Sequence, residues 1–123
     1  MKKILLVDDD PLFAEMLQQA LTVFGYAVVR ARDGKEALLR YDPAVVDLVL
    51  TDLIMPDMEG VELILALHHR HPGVKVIAMS GGGRNVPDTY LRIAQRLGAM
   101  KTLAKPFPLE TLRQAVAECL ADA

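Results

Sequence analysis

Five side chains stand where short apolar runs of this sequence end: Asp8 and Asp9 after Ile4–Val7, Asp52 after Val45–Thr51, Ser80 after Val74–Met79, and Lys105 after Lys101–Ala104. Carboxylates drawn from separate runs into one crevice repel each other. At about 4 Å and an effective dielectric near 20, each close pair is unfavourable by roughly 4 kcal/mol. A divalent cation offsets that repulsion. Carboxylates, a backbone carbonyl and water are hard oxygen ligands, which suits Mg²⁺ or Mn²⁺. No His or Cys stands at these run ends, which argues against zinc. Lys105 adds a fixed positive charge and Ser80 a hydroxyl, both fitted to the equatorial oxygens of a phosphoryl group. Together the five groups describe phosphoryl transfer to an aspartate nucleophile. Taken singly, Ser80 reads as a turn residue and Lys105 as a surface charge. Only their coincidence at four run ends carries the chemistry.

The elements that must position them alternate strictly. Lys3–Val7 is too short for a helix and stops at Asp8-Asp9-Asp10. Asp10 can cap the next helix, with Pro11 in its first turn. Leu12, Phe13, Met16, Leu17, Ala20, Leu21 and Phe24 then recur at helical spacing until Gly25. Tyr26–Ala31 reads as a second strand, followed by Asp33 as a cap and a helix over Lys35–Tyr41. Val45–Thr51, interrupted only by Asp47, suits a strand buried on both faces. A loop from Met55 to Gly60 leads to a helix through Val61, Leu63, Ile64, Leu65 and Leu67, broken at Pro72-Gly73. Val74–Met79 is the fourth strand. A glycine-rich loop then precedes a helix over Asp88–Leu97 whose Tyr90, Ile93, Ala94 and Leu97 are expected to face inward, with Gly98 as its stop. Lys101–Ala104 is the fifth strand, and Leu109, Leu112, Val116, Cys119 and Leu120 form the stripe of the last helix.

Alternating strands and helices imply right-handed crossovers and a parallel sheet covered on both faces. The expected fold is a three-layer α/β domain with a five-stranded sheet in the doubly wound order 2-1-3-4-5. Ligands in such sheets bind beyond the C-terminal strand ends at the switch in strand order, where the five groups stand.

The 123 residues make one domain's worth of chain, expected as a single unit over 1–123. With 14 Lys+Arg against 16 Asp+Glu and no long run of one sign, a broad nucleic-acid face is not expected. No apolar stretch is long enough for a signal peptide or a membrane span. The lone Cys119 has no internal disulfide partner, which fits a reducing, cytoplasmic setting.

In order and spacing, Leu6-Val7-Asp8-Asp9-Asp10, Thr51-Asp52-Leu53-Ile54-Met55-Pro56 with Gly60, Met79-Ser80 and Lys105-Pro106-Phe107 resemble the receiver domain of two-component response regulators over nearly the whole chain. That resemblance implies the flavodoxin-like order already named. It implies that Asp52 is the phosphoacceptor, charged by a sensor histidine kinase or a histidine phosphotransfer protein. Asp9 and Asp52 would ligate Mg²⁺ directly with the backbone carbonyl of Ile54, and Asp8 mostly through water. Ser80 and Lys105 would hold phosphoryl oxygens, and the Lys105–Pro106 peptide would be cis. The protein would catalyse its own phosphoryl uptake and slow release rather than turn over an external substrate. Its output would pass through the face of the fourth helix, fifth strand and fifth helix to a target protein or to an output domain absent from this chain. The resemblance also admits a phosphorylation-dependent dimer. One departure is Thr102, where the family often carries Tyr or Phe whose ring turns inward. With no ring, motion of the loop at Gly81-Gly82-Gly83 is expected to carry more of the response. Ile54 and Gly82 would flank the approach of water to the phosphoryl group.

Other readings fit less well. An interaction module that kept only the fold would not need all five groups. A phosphatase with an aspartate nucleophile usually carries a second acid two residues on, where this chain has Ile54. A flavin site needs a phosphate-cradling loop after the first strand, and Asp8-Asp9-Asp10 would repel the phosphate. His68, His69 and His71 read as a solvated helix end, the six methionines as core filler, Met55 as a loop anchor, and Cys119 as an inert core thiol.

Overall fold

A computed structural model describes residues 1–53, 60–80 and 87–121. The elements are β1 (Lys3–Val7), α1 (Pro11–Val23), β2 (Ala27–Ala31), α2 (Gly34–Arg40), β3 (Leu48–Asp52), α3 (Gly60–Arg70), β4 (Val76–Ser80), α4 (Pro87–Arg96), β5 (Lys101–Ala104) and α5 (Leu109–Leu120). All strand pairs are parallel, in the order β2-β1-β3-β4-β5. The expected topology is the observed one.

Side chains alternate across a strand, so β1 to β4 each feed two cores, while β5 adds Leu103 to one of them. Ile4, Leu6, Leu48, Leu50, Ile77 and Met79 pack with α1 and α5 through Leu17, Leu21, Leu112 and Val116. Leu5, Val7, Val49, Val76 and Ala78 pack with α2, α3 and α4 through Ala37, Leu63, Ile64, Leu67 and Ala94. This two-sided burial is why the strands read as continuous apolar runs.

Local signals set the helix ends. The Asp10 carboxylate accepts from the backbone N–H of Leu12 and Phe13 at 3.0 and 3.2 Å, and Asp33 accepts from Glu36 at 2.8 Å. Gly25 and Gly98 have φ of 101° and 115°, the left-handed conformation in which glycine closes a helix. Beyond each, the next N–H reaches back to the last turn, Tyr26 to Leu21 at 3.0 Å and Ala99 to Ala94 at 2.9 Å.

Several readings need correction. Leu12 and Met16 share helical spacing with the core stripe but are 83% and 45% exposed, and Ala14 is buried instead. Ile93 and Leu109 also stand at the surface; side chains of 87–91, including Tyr90, lie outside the described residues. The third strand starts at Leu48, because Asp42 draws Ala44, Val45 and Val46 into a turn through its side chain and carbonyl. Asp47 is explained by its carboxylate, which accepts from the Lys3 N–H at 2.8 Å. His68 and His71 are half-buried, and only His69 is exposed. The His68 ring nitrogen Nδ1 is 3.1 Å from the Ile64 carbonyl, and His71 packs against Tyr41 with ring centroids 4.9 Å apart and planes tilted by 55°. Cys119 is buried, and desolvation pushes its thiol above the ordinary pKa, as an unreactive core sulfur requires.

Gly60 opens α3 directly behind β3. A Cβ there would lie 2.2 Å from the Asp52 carbonyl oxygen and 2.6 Å from the Leu53 Cα. Both are backbone atoms and cannot swing aside. Gly60→Ala is expected to cost about 2–3 kcal/mol, as overpacking of a rigid contact does, read from the urea midpoint at unchanged m-value. A midpoint equal to wild type would show that α3 can shift freely here.

Candidate functional site

Parallel pairing brings four strand ends to one edge. Val7 lies beside Thr51, Asp52 beside Met79, and Ser80 beside Ala104. The residues that follow, or that close the strand, therefore meet: Asp8 and Asp9, Asp52, Ser80 and Lys105. Asp8, Asp52 and Ser80 are buried, while Asp9 is exposed.

One oxygen from each of Asp8, Asp9 and Asp52 lies within 4.8 Å of the others. Oxygens sharing an octahedral Mg²⁺ stand about 3–4 Å apart, so small side-chain rotations suffice to close the set. All donors are hard oxygens, as Mg²⁺ prefers. The residues fit the ion. Asp10 is not in this set, since its carboxylate caps α1.

Lys105 joins the carboxylates. Its ammonium donates to Asp8 Oδ2 at 3.0 Å and lies 3.6 Å from Asp52 Oδ2. The Asp8 side chain is fully buried, and the lysine side chain is 14% exposed. Asp8 Oδ1 also accepts from the Asp10 N–H at 2.9 Å, and Asp52 Oδ1 from the Leu53 N–H at 2.8 Å. The backbone is tied in as well: the Asp8 N–H donates to Ala31 and the Lys105 N–H to Ser80, at 3.1 and 3.0 Å. Among the described residues, one ammonium stands against three carboxylates, an imbalance that a divalent cation would offset. The Lys105–Pro106 peptide is cis, as the resemblance implies.

Of the five groups singled out from the sequence, the side chains of Asp8, Asp9, Asp52 and Lys105 stand together, and Ser80 closes the neighbouring strand beside Ala104. Ile54, Met55 and Gly81-Gly82-Gly83 lie outside the described residues. Thr102 is half-buried in β5, in register with Ala78. Phe13 was not foreseen as part of the site. Lys105 Nζ stands 4.1 Å from its ring centroid, and Phe107 meets the same ring edge-on at 6.1 Å. The only sequence signal was an aromatic three residues past the Asp10 cap.

Comparison with known proteins agrees with this fold. Residues 4–117 match the family described as the response regulator receiver domain. The transcriptional regulatory protein GlrR of Escherichia coli is 38% identical over 117 residues, covering 95% of this chain and 26% of that protein. CpxR of Escherichia coli is 38% identical over 107 residues, covering 87% of this chain and 44% of that protein. The chain therefore spans about a quarter to under half of these relatives. Among solved structures, a receiver domain protein from Clostridium thermocellum superposes with a TM-score of 0.90 at 25% identity, covering 98% of this chain and 94% of that one. The response regulator TrrA of Thermotoga maritima, solved with Mg²⁺ and BeF, gives a TM-score of 0.83 at 29% identity, covering 98% of this chain and all of that one. Phosphorylation and Mg²⁺ binding at an acidic pocket are general properties of this group. A match that runs through all five strands and takes in Asp8, Asp9, Asp52, Ser80 and Lys105 places this chain in the family of response regulator receiver domains.

Proposed function

We propose that Asp52 is the phosphoacceptor of this domain, charged from a phosphohistidine on a sensor kinase or phosphotransfer protein in the cytoplasm. The observation that carries this reading is the convergence of three carboxylates and one lysine at the C-terminal strand ends. A carboxylate oxygen of Asp52 attacks the donor phosphorus, the P–N bond breaks, and the released imidazole takes a proton. Lys105, 3.6 Å from Asp52, offsets charge developing on the phosphoryl oxygens, and Ser80 supplies a hydroxyl from the neighbouring strand end. Mg²⁺, with Mn²⁺ as a substitute, would be held by Asp9 and Asp52, with Asp8 through water and the Ile54 carbonyl completing the set, and would supply charge neutralisation. Asp8 keeps Lys105 in place by its 3.0 Å bond. Hydrolysis of the acyl phosphate by water resets the switch.

The output is a change in the face formed by α4, β5 and α5, read by a target protein or an attached output domain through its different affinity for the two states. Self-pairing of that face after phosphorylation is one such output.

The direct test is labelling with acetyl phosphate, followed by mapping of the acyl phosphate. Incorporation is expected at Asp52 and only with Mg²⁺ or Mn²⁺ present. The same ion should raise thermal stability, by about 2.7 kcal/mol at one hundred times its dissociation constant. Labelling undiminished in excess EDTA, or mapped to another residue, would remove the reading.

A further inference from the structure

We infer that Phe13 is a positioning residue for this chemistry: its ring, braced by Phe107, holds the Lys105 ammonium at the mouth of the carboxylate cluster. The inference rests on the reading of Asp52 as phosphoacceptor, and it adds a group that the five strand-end residues do not include.

Lysine is a strongly hydrated point charge on a flexible four-carbon stem. Nothing in such a side chain selects one position at the end of a sheet. Here three neighbours do so: Asp8 Oδ2 at 3.0 Å, Asp52 Oδ2 at 3.6 Å and the Phe13 ring at 4.1 Å from its centroid. The carboxylates act from the cluster. The ring covers another side with the negative face of its quadrupole and keeps water from it.

The ring is itself fixed at both ends. Phe13 lies in the first turn of α1, and its own N–H donates to the Asp10 cap at 3.2 Å. Phe107 follows Lys105 by two residues and meets the ring nearly at right angles, 82°, with centroids 6.1 Å apart. Both phenylalanines are half-buried against the α1–α5 core. The first turn of α1 and the segment after β5 are therefore clasped around one ammonium. A ring suits this task better than a third carboxylate would. It attracts the cation without offering an anionic oxygen that competes with a phosphoryl group, so the ammonium stays poised yet can turn from Asp8 to the incoming charge.

Phosphorylation of the full chain by acetyl phosphate with Mg²⁺ tests this, using Phe13→Leu, which keeps apolar bulk, and Phe13→Tyr, which keeps the ring. The leucine variant is expected to label roughly fivefold more slowly at limiting donor, and the tyrosine variant within about twofold of wild type. Proton NMR gives a second readout that needs no variant to fold. The Lys105 ε-methylene protons of the wild type should be shifted upfield by the ring current, the shift persisting in Phe13→Tyr and vanishing in Phe13→Leu. A merely structural role would lower the melting temperature of Phe13→Leu without tying its rate to that signal. Wild-type labelling with an equally fast leucine variant, or wild-type ε-protons at the position of a solvated lysine, overturns the positioning role alone. A wild type that takes no phosphoryl group overturns the Asp52 reading, and the positioning role with it.

Discussion

Asp52→Asn is expected to abolish phosphoryl incorporation from acetyl phosphate or a histidine kinase, a fall of at least about 100-fold in label per chain. The amide keeps the size of the side chain but lacks the anionic nucleophile on which the step depends. The neighbouring carboxylates are poor substitutes on geometric grounds. Asp8 is fully buried and held by Lys105 and by the Asp10 N–H. Asp9 is exposed and belongs to the cluster that fits a cation. Intact-mass measurement after exposure to acetyl phosphate and Mg²⁺ reads the result directly. One phosphoryl group per chain persisting in the asparagine variant would place the nucleophile elsewhere.

Lys105→Met should act on stability as well as chemistry. Asp8 and Lys105 form an ion pair whose carboxylate side is fully buried, and removing one partner strands the other charge. Such losses cost about 3–5 kcal/mol in fully buried pairs. The 14% exposure of the lysine and the exposed Asp9 let water screen part of this, so about 2–3 kcal/mol is expected at neutral pH without divalent ions. Urea unfolding measures it. Mg²⁺ should recover much of the loss, since a bound cation answers the same three carboxylates. Labelling should remain slow even with Mg²⁺, by roughly tenfold to a hundredfold, because the ammonium that meets the phosphoryl oxygens is gone. A methionine variant as stable and as quickly labelled as wild type would show that Lys105 serves neither purpose.

Asp10 and Asp33 announce helix starts, and Gly25 and Gly98 announce stops, because caps act on N–H and carbonyl groups a few residues away. The strands declare themselves because burial on both faces removes polar residues from the run. An apolar run reports burial, however, and not ladder pairing. That is why Val45 and Val46 looked like strand while Asp42 holds them in a turn. The same limit explains Leu12 and Met16, since periodicity gives the spacing of a stripe but not how wide a stripe the sheet covers.

The sequence by itself determined which elements form, their order, and the identity of the groups at the strand ends, because each of these is decided by neighbours within a few residues. Only the tertiary structure decided that Lys105 stands closer to Asp8 than to Asp52, 97 positions away along the chain from the former. It alone placed the Phe13 ring over that ammonium and the Gly60 backbone against Asp52. The lysine contacts join distant segments and the Gly60 contact packs a helix on the strand before it, so all depend on where packed helices and paired strands carry the backbone, at a precision of tenths of an ångström that no local pattern encodes.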